Sequence, residues 1–346
     1  MRKTQVALAA LALVASTAAM AEVKLSGIVD MGVGHASGKG TYVEQGGWSD
    51  HSSVTLSGGE DLGNGLKAFF ALEAGFTQNG DPGNGGNGTL FSRESKVGLG
   101  GDFGSLSVGQ QLSPYILSYA MSQPGSAGNF WVNRIIMGGG LSAAGCASQT
   151  CAGGTFQRGG FFIPNSVQYT TPSIAGFTAT VMTTTKNGAK DGAMATSTVD
   201  ADKYTAYAVN GAIAGVGLNA GYQKRTNTYS SWVVGATYPI GDLTLAGNVA
   251  NHKDEGSDGV GSYMIAASYA LTGSTALYGG YARNDRSTEQ SLTNVGVKHN
   301  LSKATFVYLT YVRGTNGAQS ALAERGNYAT TGSDTNNTVV GVSHSF

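Results

Sequence analysis

Charged side chains are distributed unevenly along this sequence. The stretch from Phe103 to Lys190 contains no Asp or Glu, yet it carries four basic residues, Arg134, Arg158, Lys186 and Lys190. Positive charge without nearby carboxylates attracts small anions, most strongly where water is confined between protein walls. Arg134 and Arg158 are therefore candidate lining residues of an anion-attracting constriction. The alternative is that each arginine is an ordinary solvated loop charge.

The same sequence shows no recognisable set of catalytic residues. A hydrolase needs a general base positioned beside a nucleophile, but the histidines are scattered singly and none has the spacing of a Ser/His/Asp set. The glycine-rich runs also do not follow the strand-to-helix pattern of a phosphate-binding loop. We therefore expect no enzyme activity and no cofactor.

Carboxylates that could bind a metal gather in two links between predicted strands. They are Asp191, Asp200 and Asp202 in one link, and Asp254, Glu255 and Asp258 in the other. Oxygen ligands of this kind suit Ca²⁺, but neither group has a recognised calcium-loop spacing. We interpret them as solvated loop charges and expect no metal site.

The two cysteines, Cys146 and Cys151, lie close together within one long link. No histidine neighbours them, which argues against a zinc site. Because oxidation is the default for an exported protein, a disulfide that stiffens this link locally is the preferred prediction. Two free thiols are the alternative.

The N-terminus has the features of an export signal. Arg2 and Lys3 precede an apolar run over 6–14, and the small-residue pattern Ala19-Met20-Ala21 follows. Such a run is too short for a membrane helix, which needs about 20 residues. We expect residues 1–21 to be removed as a signal peptide, and 22–346 to form one domain.

Composition and charge narrow the function classes. The chain has 21 basic and 21 acidic residues, so losing the two basic residues of the signal leaves 19 against 21, a formal charge of −2. A nucleic-acid partner would require a basic face. Glycine is abundant, with 54 residues, whereas proline is scarce, with 6. This combination suits strands and tight turns better than disorder.

The candidate wall charges lie in segments with a strand-like alternation. Along 66–76, one parity is entirely apolar, whereas the other contains Lys67 and Glu73. Glu94 and Lys96 likewise share a parity opposite to apolar neighbours. Successive strand side chains point to opposite faces, and a Lys or Arg facing lipid near the membrane midplane costs about 2–4 kcal/mol. These four residues are therefore predicted to face a water-filled interior.

Similar alternation recurs along the mature chain. It predicts sixteen antiparallel strands, an even number, as a single-chain bacterial barrel requires. The predicted strands cover residues 23–36, 52–60, 65–78, 91–101, 104–111, 165–171, 176–185, 203–212, 215–226, 229–240, 243–253, 261–271, 275–285, 291–301, 304–314 and 335–346.

Short turns alternate with longer polar links between these strands, as is typical of an outer-membrane barrel. The longest link, 112–164, follows the fifth strand and interrupts the alternation. A loop of this length in a compact domain is normally either disordered or functional. We interpret it as a constriction loop that folds into the lumen and narrows it.

Aromatic residues concentrate near the predicted strand ends, where Tyr and Trp can contact both lipid and water. Ordinary strand propensity is the alternative explanation. The residues are Tyr169, Tyr204, Tyr207, Tyr222, Tyr229, Trp232, Tyr238, Tyr263, Tyr269, Tyr278, Tyr281, Tyr308 and Tyr311.

Several stretches resemble the general-diffusion porins of Gram-negative bacteria, in particular the beta-proteobacterial and Neisseria-type outer-membrane family. They are Val23–Asp30, Gly59–Ala68, Leu90–Arg93, Phe103–Gln111 and Val342–Phe346. The resemblance implies a sixteen-stranded homotrimer in outer-membrane lipid and lipopolysaccharide, with a third loop folded into the lumen. It further implies passive diffusion of small hydrophilic solutes, and recognition of the C-terminal Phe346 by the barrel-assembly machinery.

The sequence departs from this family where wall arginines are common. Val54 and Ser57 stand at such positions in the second strand, and Gln110 stands at another after the glycine of the fifth. Glu94 follows Arg93 at a further basic-rich position. Gln110 and Glu94 remain candidate lining residues, but the arginine cluster of the wall is thinned.

The sequence thus predicts an all-β transmembrane antiparallel barrel of about sixteen strands. It is expected to form a weakly anion-selective channel in the outer membrane of a Gram-negative bacterium. A substrate-preferring channel is one alternative. An exported adhesin or structural protein is another, although a soluble β-sandwich would bury its apolar faces and leave strand edges.

Overall fold

A computed structural model of the chain describes residues 22–37, 40–43, 52–76, 90–122, 162–184, 203–227, 229–256, 258–285, 289–316 and 334–346. These residues form one antiparallel sheet and a short helix. The strands are β1 (Glu22–Ala36), β2 (Gly40–Val43), β3 (Ser53–Gly63), β4 (Leu66–Gly75), β5 (Glu94–Gly101), β6 (Gly104–Leu112), β7 (Phe162–Thr170), β8 (Phe177–Thr184), β9 (Tyr204–Ile213), β10 (Val216–Arg225), β11 (Tyr229–Ile240), β12 (Leu243–Asp254), β13 (Val260–Ala270), β14 (Thr275–Asn284), β15 (Ser291–Asn300), β16 (Thr305–Gly314) and β17 (Thr335–Ser345), and the helix is α1 (Pro114–Ala120).

The sheet closes on itself through its first and last strands. Residues Ile28–Ala36 of β1 pair with β17, whereas Glu22–Ile28 pair with β3. The short strand β2 only extends the ladder beside the end of β1. The wall is therefore a closed barrel of sixteen antiparallel strands, β1 and β3 to β17, which confirms the predicted architecture and strand number.

The two faces of the wall differ as the alternation predicts. In β17, Val340 and Val342 are 58% and 46% exposed, whereas Val339 and Ser343, which have the opposite parity on either side of them, are 0% and 1% exposed. The same contrast recurs around the barrel, so that large apolar side chains cover the outer face. An outward apolar surface beside polar inward positions is the pattern of a barrel that sits in lipid.

Tight hairpins join the strands at one end of the barrel. In the β9–β10 turn, Ala214 and Gly215 have φ values of +50° and +81°. Positive φ at both central residues defines the turn type whose twist matches that of the flanking strands. The same pair of signs occurs at Asn64 and Gly65 in the β3–β4 turn. The strand ends that the long links connect lie at the opposite end, as expected for a barrel with periplasmic turns and extracellular loops.

Tyrosines and tryptophan form two bands on the outer face. Towards the long-link end lie Tyr207, Tyr222, Trp232, Tyr263, Tyr281 and Tyr311, and towards the short-turn end lie Tyr169, Tyr238 and Tyr269. Four other tyrosines of the predicted set, Tyr204, Tyr229, Tyr278 and Tyr308, are 3–6% exposed and face inward. For these four the interfacial prediction was wrong, because their strand parity is that of the lumen.

The one helix in the described residues, α1, begins directly after β6. Pro114 occupies its first turn, where a fixed φ and a missing N–H are tolerated. No helix in this part of the chain is long and apolar enough to cross a membrane.

Candidate functional site

The inner face of the barrel is rich in polar side chains. Asn219, Gln223, Asn248 and Asn337 are inward-facing and no more than 5% exposed. A polar interior inside an apolar outer surface is the arrangement of a channel-forming barrel. The candidate functional site is therefore the inner wall together with the segment that enters the lumen.

Four charged residues form a compact group on the wall at β4 and β5, which we call the charge quartet: Glu73, Arg93, Glu94 and Lys96. The Lys96 Nζ lies 2.9 Å from Oε1 and 2.8 Å from Oε2 of Glu94. Arg93 donates from Nε to Glu73 Oε1 at 2.7 Å. The four side chains are 13–22% exposed, so they are neither fully solvated nor sealed from water. Glu73, Glu94 and Lys96 thus lie together, as their shared parity predicts.

Arg93 joins this group although it shares the parity of Val97 and Leu99, which are 54% and 42% exposed on the outer face. It precedes the first residue of β5, so strict alternation does not apply to it. Its side chain turns towards Glu73, and the guanidinium lies 4.7 Å from the ring centroid of Phe162. The position of Arg93 at a strand start was the only sequence signal for this departure.

Lys67 lies on the same face but far from the quartet. It is exposed and pairs across the ladder with Asp61, beside the short turn between β3 and β4. At about 3.3 Å per residue, the six positions between Lys67 and Glu73 correspond to roughly 20 Å along the strand. Lys67 therefore belongs to the mouth of the lumen at the short-turn end.

Gln110 was a candidate lining residue, but the structure places it on the other face. It pairs opposite Ser95 and shares the parity of Val108, which is 46% exposed on the outer surface. Its amide donates to the main-chain oxygens of Ser92 and Arg93. Gln110 thus holds the turn before β5. The inward residue is its neighbour Gln111, which is 1% exposed and was not singled out from the sequence.

The helix α1 lies inside the barrel, against the inner face of β9, β10 and β11. Tyr115 and Tyr119 are 1% and 0% exposed there. A Cβ atom on Gly221 would lie 3.2–3.3 Å from atoms of Ser118 and Tyr115, so glycine allows the helix to approach this wall closely. Since α1 follows β6 directly, the chain crosses from β6 to β9–β11 through the lumen.

A chain of hydrogen bonds fixes the start of α1 to the wall. The Ser113 Oγ lies 2.7 Å from the Tyr204 hydroxyl, which donates to Gln223 Oε1 at 2.9 Å. Because the single hydroxyl hydrogen of Tyr204 is used for Gln223, Ser113 is the donor in the first bond. The chain continues from Gln223 Nε2 to Ser231 Oγ at 3.4 Å, and from Ser231 to His252 Nδ1 at 2.8 Å.

The end of α1 is fixed by a second set of bonds. Asn248 Nδ2 donates to Ser122 Oγ at 2.9 Å, and Thr237 Oγ1 donates to the main-chain oxygen of Met121 at 3.1 Å. Ser122 lies above Gly235, where any side chain would overlap it. None of these residues was assigned an anchoring role from the sequence, although Asn248, Gln223 and Tyr204 share the inward parity of their strands.

The tyrosines of α1 are neutral. Desolvation by burial raises the pKa of Tyr115 and Tyr119 above the ordinary value of 10.0. Both hydroxyls therefore act as neutral hydrogen-bonding groups at physiological pH.

The remaining predicted site residues of the long link lie outside the described residues. They are Arg134, Arg158, Cys146 and Cys151. In the part of the chain that the structure does describe, no group of three or more His, Cys, Asp or Glu residues could hold a metal ion.

The C-terminal residue Phe346 lies at the closing seam. Its main-chain N–H donates to the Gly27 oxygen at 3.0 Å, and the Gly27 N–H donates back to the Phe346 oxygen at 3.0 Å. Its ring packs over Gly27, where a Cβ atom would overlap it. The ring is nevertheless 55% exposed on the outer surface.

Sequence comparisons identify a family profile and several proteins that are similar to this chain. A family profile described as "Gram-negative porin" matches residues 7–319. "Outer membrane porin protein 32" of Delftia acidovorans is 31% identical over an alignment of 376 residues, gaps included, which covers 100% of both chains. "Major outer membrane protein P.IB" of Neisseria gonorrhoeae is 35% identical over 189 residues, which cover 52% of this chain and 47% of the relative.

Solved structures share the fold. The "Anion-selective porin from Comamonas acidovorans" superposes with a TM-score of 0.74 at 24% identity, covering 94% of this chain and 100% of that one. "OmpTdeltaL8 (loop L8 deletion mutant of OmpT), an outer membrane protein of Vibrio cholerae" superposes with a TM-score of 0.66 at 15% identity, covering 94% and 99%. At these identities the structures establish similarity of fold.

Proposed function

The chain belongs to the Gram-negative porin family, and from this premise we propose that small hydrophilic solutes and ions diffuse passively through its lumen. It is an outer-membrane porin. The observation that carries the proposal is the closed sixteen-strand wall, apolar outside and polar inside. Such a wall encloses an aqueous path in a membrane. Transport down a gradient needs neither a catalytic group nor a cofactor.

Anion preference is the finer part of the proposal. Arg134 and Arg158 lie in a stretch that contains no carboxylate, and rings of cationic side chains favour anions in a pore. Similarity to a structure described as an anion-selective porin supports the same sign. We assign Glu73, Glu94 and Lys96 to the lining at the quartet, and Lys67 to the short-turn mouth.

We also propose that the whole segment 112–164 folds into the lumen as the constriction loop. The position of α1 supports this, because the first described part of the segment already packs on the inner wall. In this arrangement Arg134 and Arg158 reach the narrowest section. A Cys146–Cys151 disulfide would stiffen the same segment locally.

Assembly follows the family in this proposal. The chain loses residues 1–21 on export, and 22–346 form one barrel domain. Three copies associate in a membrane of lipid and lipopolysaccharide, after the barrel-assembly machinery has recognised the strand that ends at Phe346. The exposed ring of Phe346 at the seam supports this last role.

Liposome swelling with uncharged sugars of increasing size tests passive diffusion. Swelling should be fast for small sugars and fall steeply above a size limit, whereas a size-independent or absent response would contradict it. The reversal potential in a KCl gradient tests the sign of selectivity. Arg134→Ala combined with Arg158→Ala should reduce the anion preference, and an unchanged potential would remove these arginines from the lining.

A further inference from the structure

We infer that Glu73 and Glu94 are selectivity-determining residues, because each carboxylate masks the cation beside it. The wall at β4 and β5 then holds two latent anion-attracting groups, Arg93 and Lys96. This inference rests on the proposed function, since it concerns ions that pass the charge quartet. Arg93 and Lys96 would by themselves raise the preference of the pore for anions. The wall carboxylates Glu73 and Glu94 lower that preference.

The geometry of the Lys96 pair makes the masking close to complete. Both oxygens of Glu94 lie within hydrogen-bond distance of the Lys96 Nζ, at 2.9 Å and 2.8 Å. The two residues are separated by one position on β5, so they project from the same face. A charge pair at this separation presents a dipole to a more distant ion. The potential of a dipole falls off faster with distance than that of a single charge.

The second pair is arranged in the same way. Arg93 bonds Glu73 at 2.7 Å, and its guanidinium also lies over the ring of Phe162. Glu73 and Glu94 stand directly opposite each other in the β4–β5 ladder. Like charges at directly opposite positions are unfavourable. Each carboxylate is therefore tolerated there because its own cation lies beside it, and the quartet as a whole is neutral.

Exposure indicates that permeating ions meet this group. The quartet side chains are 13–22% exposed, whereas Asp30 on the same inner face is 0% exposed. A buried carboxylate is shielded from the lumen water by the protein around it. A change of one charge in the partly exposed quartet therefore reaches passing ions more directly than a change at Asp30 would.

Glu94→Gln tests the inference, because the amide keeps the shape of the side chain and removes its charge. The Lys96 charge is then unmasked, and the chloride-to-potassium permeability ratio should rise about twofold near 0.1 M salt and less at 1 M, where the Debye length is short. Glu73→Gln should act in the same direction through Arg93. Because the two variants test the inference independently, either one is sufficient if the other fails to fold.

The matched control is Glu60→Gln. Glu60 pairs with Ala68 and shares the outward parity of Leu56 on β3, so this variant loses the same charge outside the lumen. Its permeability ratio should equal that of the unmodified protein. Lys96→Met should shift the ratio towards cations, and Glu94→Gln combined with Lys96→Met should return it towards the unmodified value.

The outcomes separate this inference from the proposed function. If the unmodified pore prefers cations, the proposed anion preference is wrong, yet the inference holds when Glu94→Gln still shifts the ratio towards chloride. If Glu94→Gln and Glu73→Gln fold, insert and leave the ratio equal to that of Glu60→Gln, the inference is overturned. A shift of equal size in Glu60→Gln would overturn it as well.

Discussion

Tyr308 and Asp30 are joined across the seam at which the barrel closes. The Tyr308 hydroxyl on β16 donates to Asp30 Oδ1 on β1 at 2.7 Å, and its ring crosses β17 over Gly341. Both residues are buried, at 3% and 0% exposed. One side chain thus ties together three strands, including the first and the last of the chain. The seam is held by this contact as well as by its main-chain ladder.

Tyr308→Phe should weaken the barrel, because it removes a buried hydrogen bond to a carboxylate. Bonds of this kind contribute about 1.5–3 kcal/mol, and the free energy of unfolding in urea should fall by a similar amount. Tyr311→Phe is the control, since Tyr311 lies on the same strand but is 38% exposed, and its hydroxyl donates to Asn336 at the outer surface, where losing a bond should cost less. Equal stability of the two variants would show that the seam contact contributes nothing.

Gly341→Ala should destabilise the same contact by a different route. A Cβ atom at this position would overlap the ring of Tyr308, so the ring must move away from Asp30. Because both substitutions break one bond, the losses from Gly341→Ala and Tyr308→Phe should not add in the double variant. Gly273→Ala is the control, as a Cβ there meets nothing within 4 Å. Additive losses at Gly341 and Tyr308 would contradict the shared mechanism.

Tyr204→Phe should loosen α1 from the wall. The substitution removes the hydroxyl that accepts from Ser113 and donates to Gln223. We expect more frequent current fluctuations in single channels and closure at a lower voltage, because the entering segment loses its first anchor. Tyr207→Phe is the control on the outer face of the same strand. If the current fluctuations were unchanged in Tyr204→Phe, the hydrogen bonds of the Tyr204 hydroxyl would not be needed to hold the segment in place.

The buried tyrosines of α1 predict loss of stability at alkaline pH. Desolvation raises the pKa of Tyr119 in the folded barrel above its unfolded value near 10. The folded state therefore holds this proton more tightly, and the stabilisation is complete below about pH 10 and is lost as the pH rises beyond it. The free energy of unfolding should fall less steeply with rising alkaline pH in Tyr119→Phe than in the unmodified protein. Parallel curves for the two proteins would contradict the prediction.

Most of the fold followed from the sequence because lipid and water impose a period of two on every strand. The alternation in 66–76 located β4 and set the inward faces of Lys67 and Glu73. Sixteen predicted strands correspond to the sixteen in the wall. The positions of the aromatic residues were predicted only in part. Tyrosines such as Tyr308 face the lumen and make contacts there that the composition of the chain does not reveal.

The site was less predictable, because it depends on contacts between distant segments. Gln110 was chosen by family position, whereas its parity with Val108 places it outside. Arg93 lies before its strand, where parity no longer determines direction. The anchoring of α1 joins Ser113 to Tyr204, which lies many residues away in the chain. Only the inward parity of polar residues on β9–β12 could have indicated such a partner.

Conductance across a planar lipid bilayer tests the central claim most directly, namely that the closed barrel encloses a continuous water path. The full chain, purified and shown to insert, should produce discrete current steps whose size rises in proportion to the conductivity of the bathing KCl. The unmodified pore should also show a reversal potential of the sign for chloride preference. Verified insertion without current steps would contradict the account of this barrel as a water-filled pore.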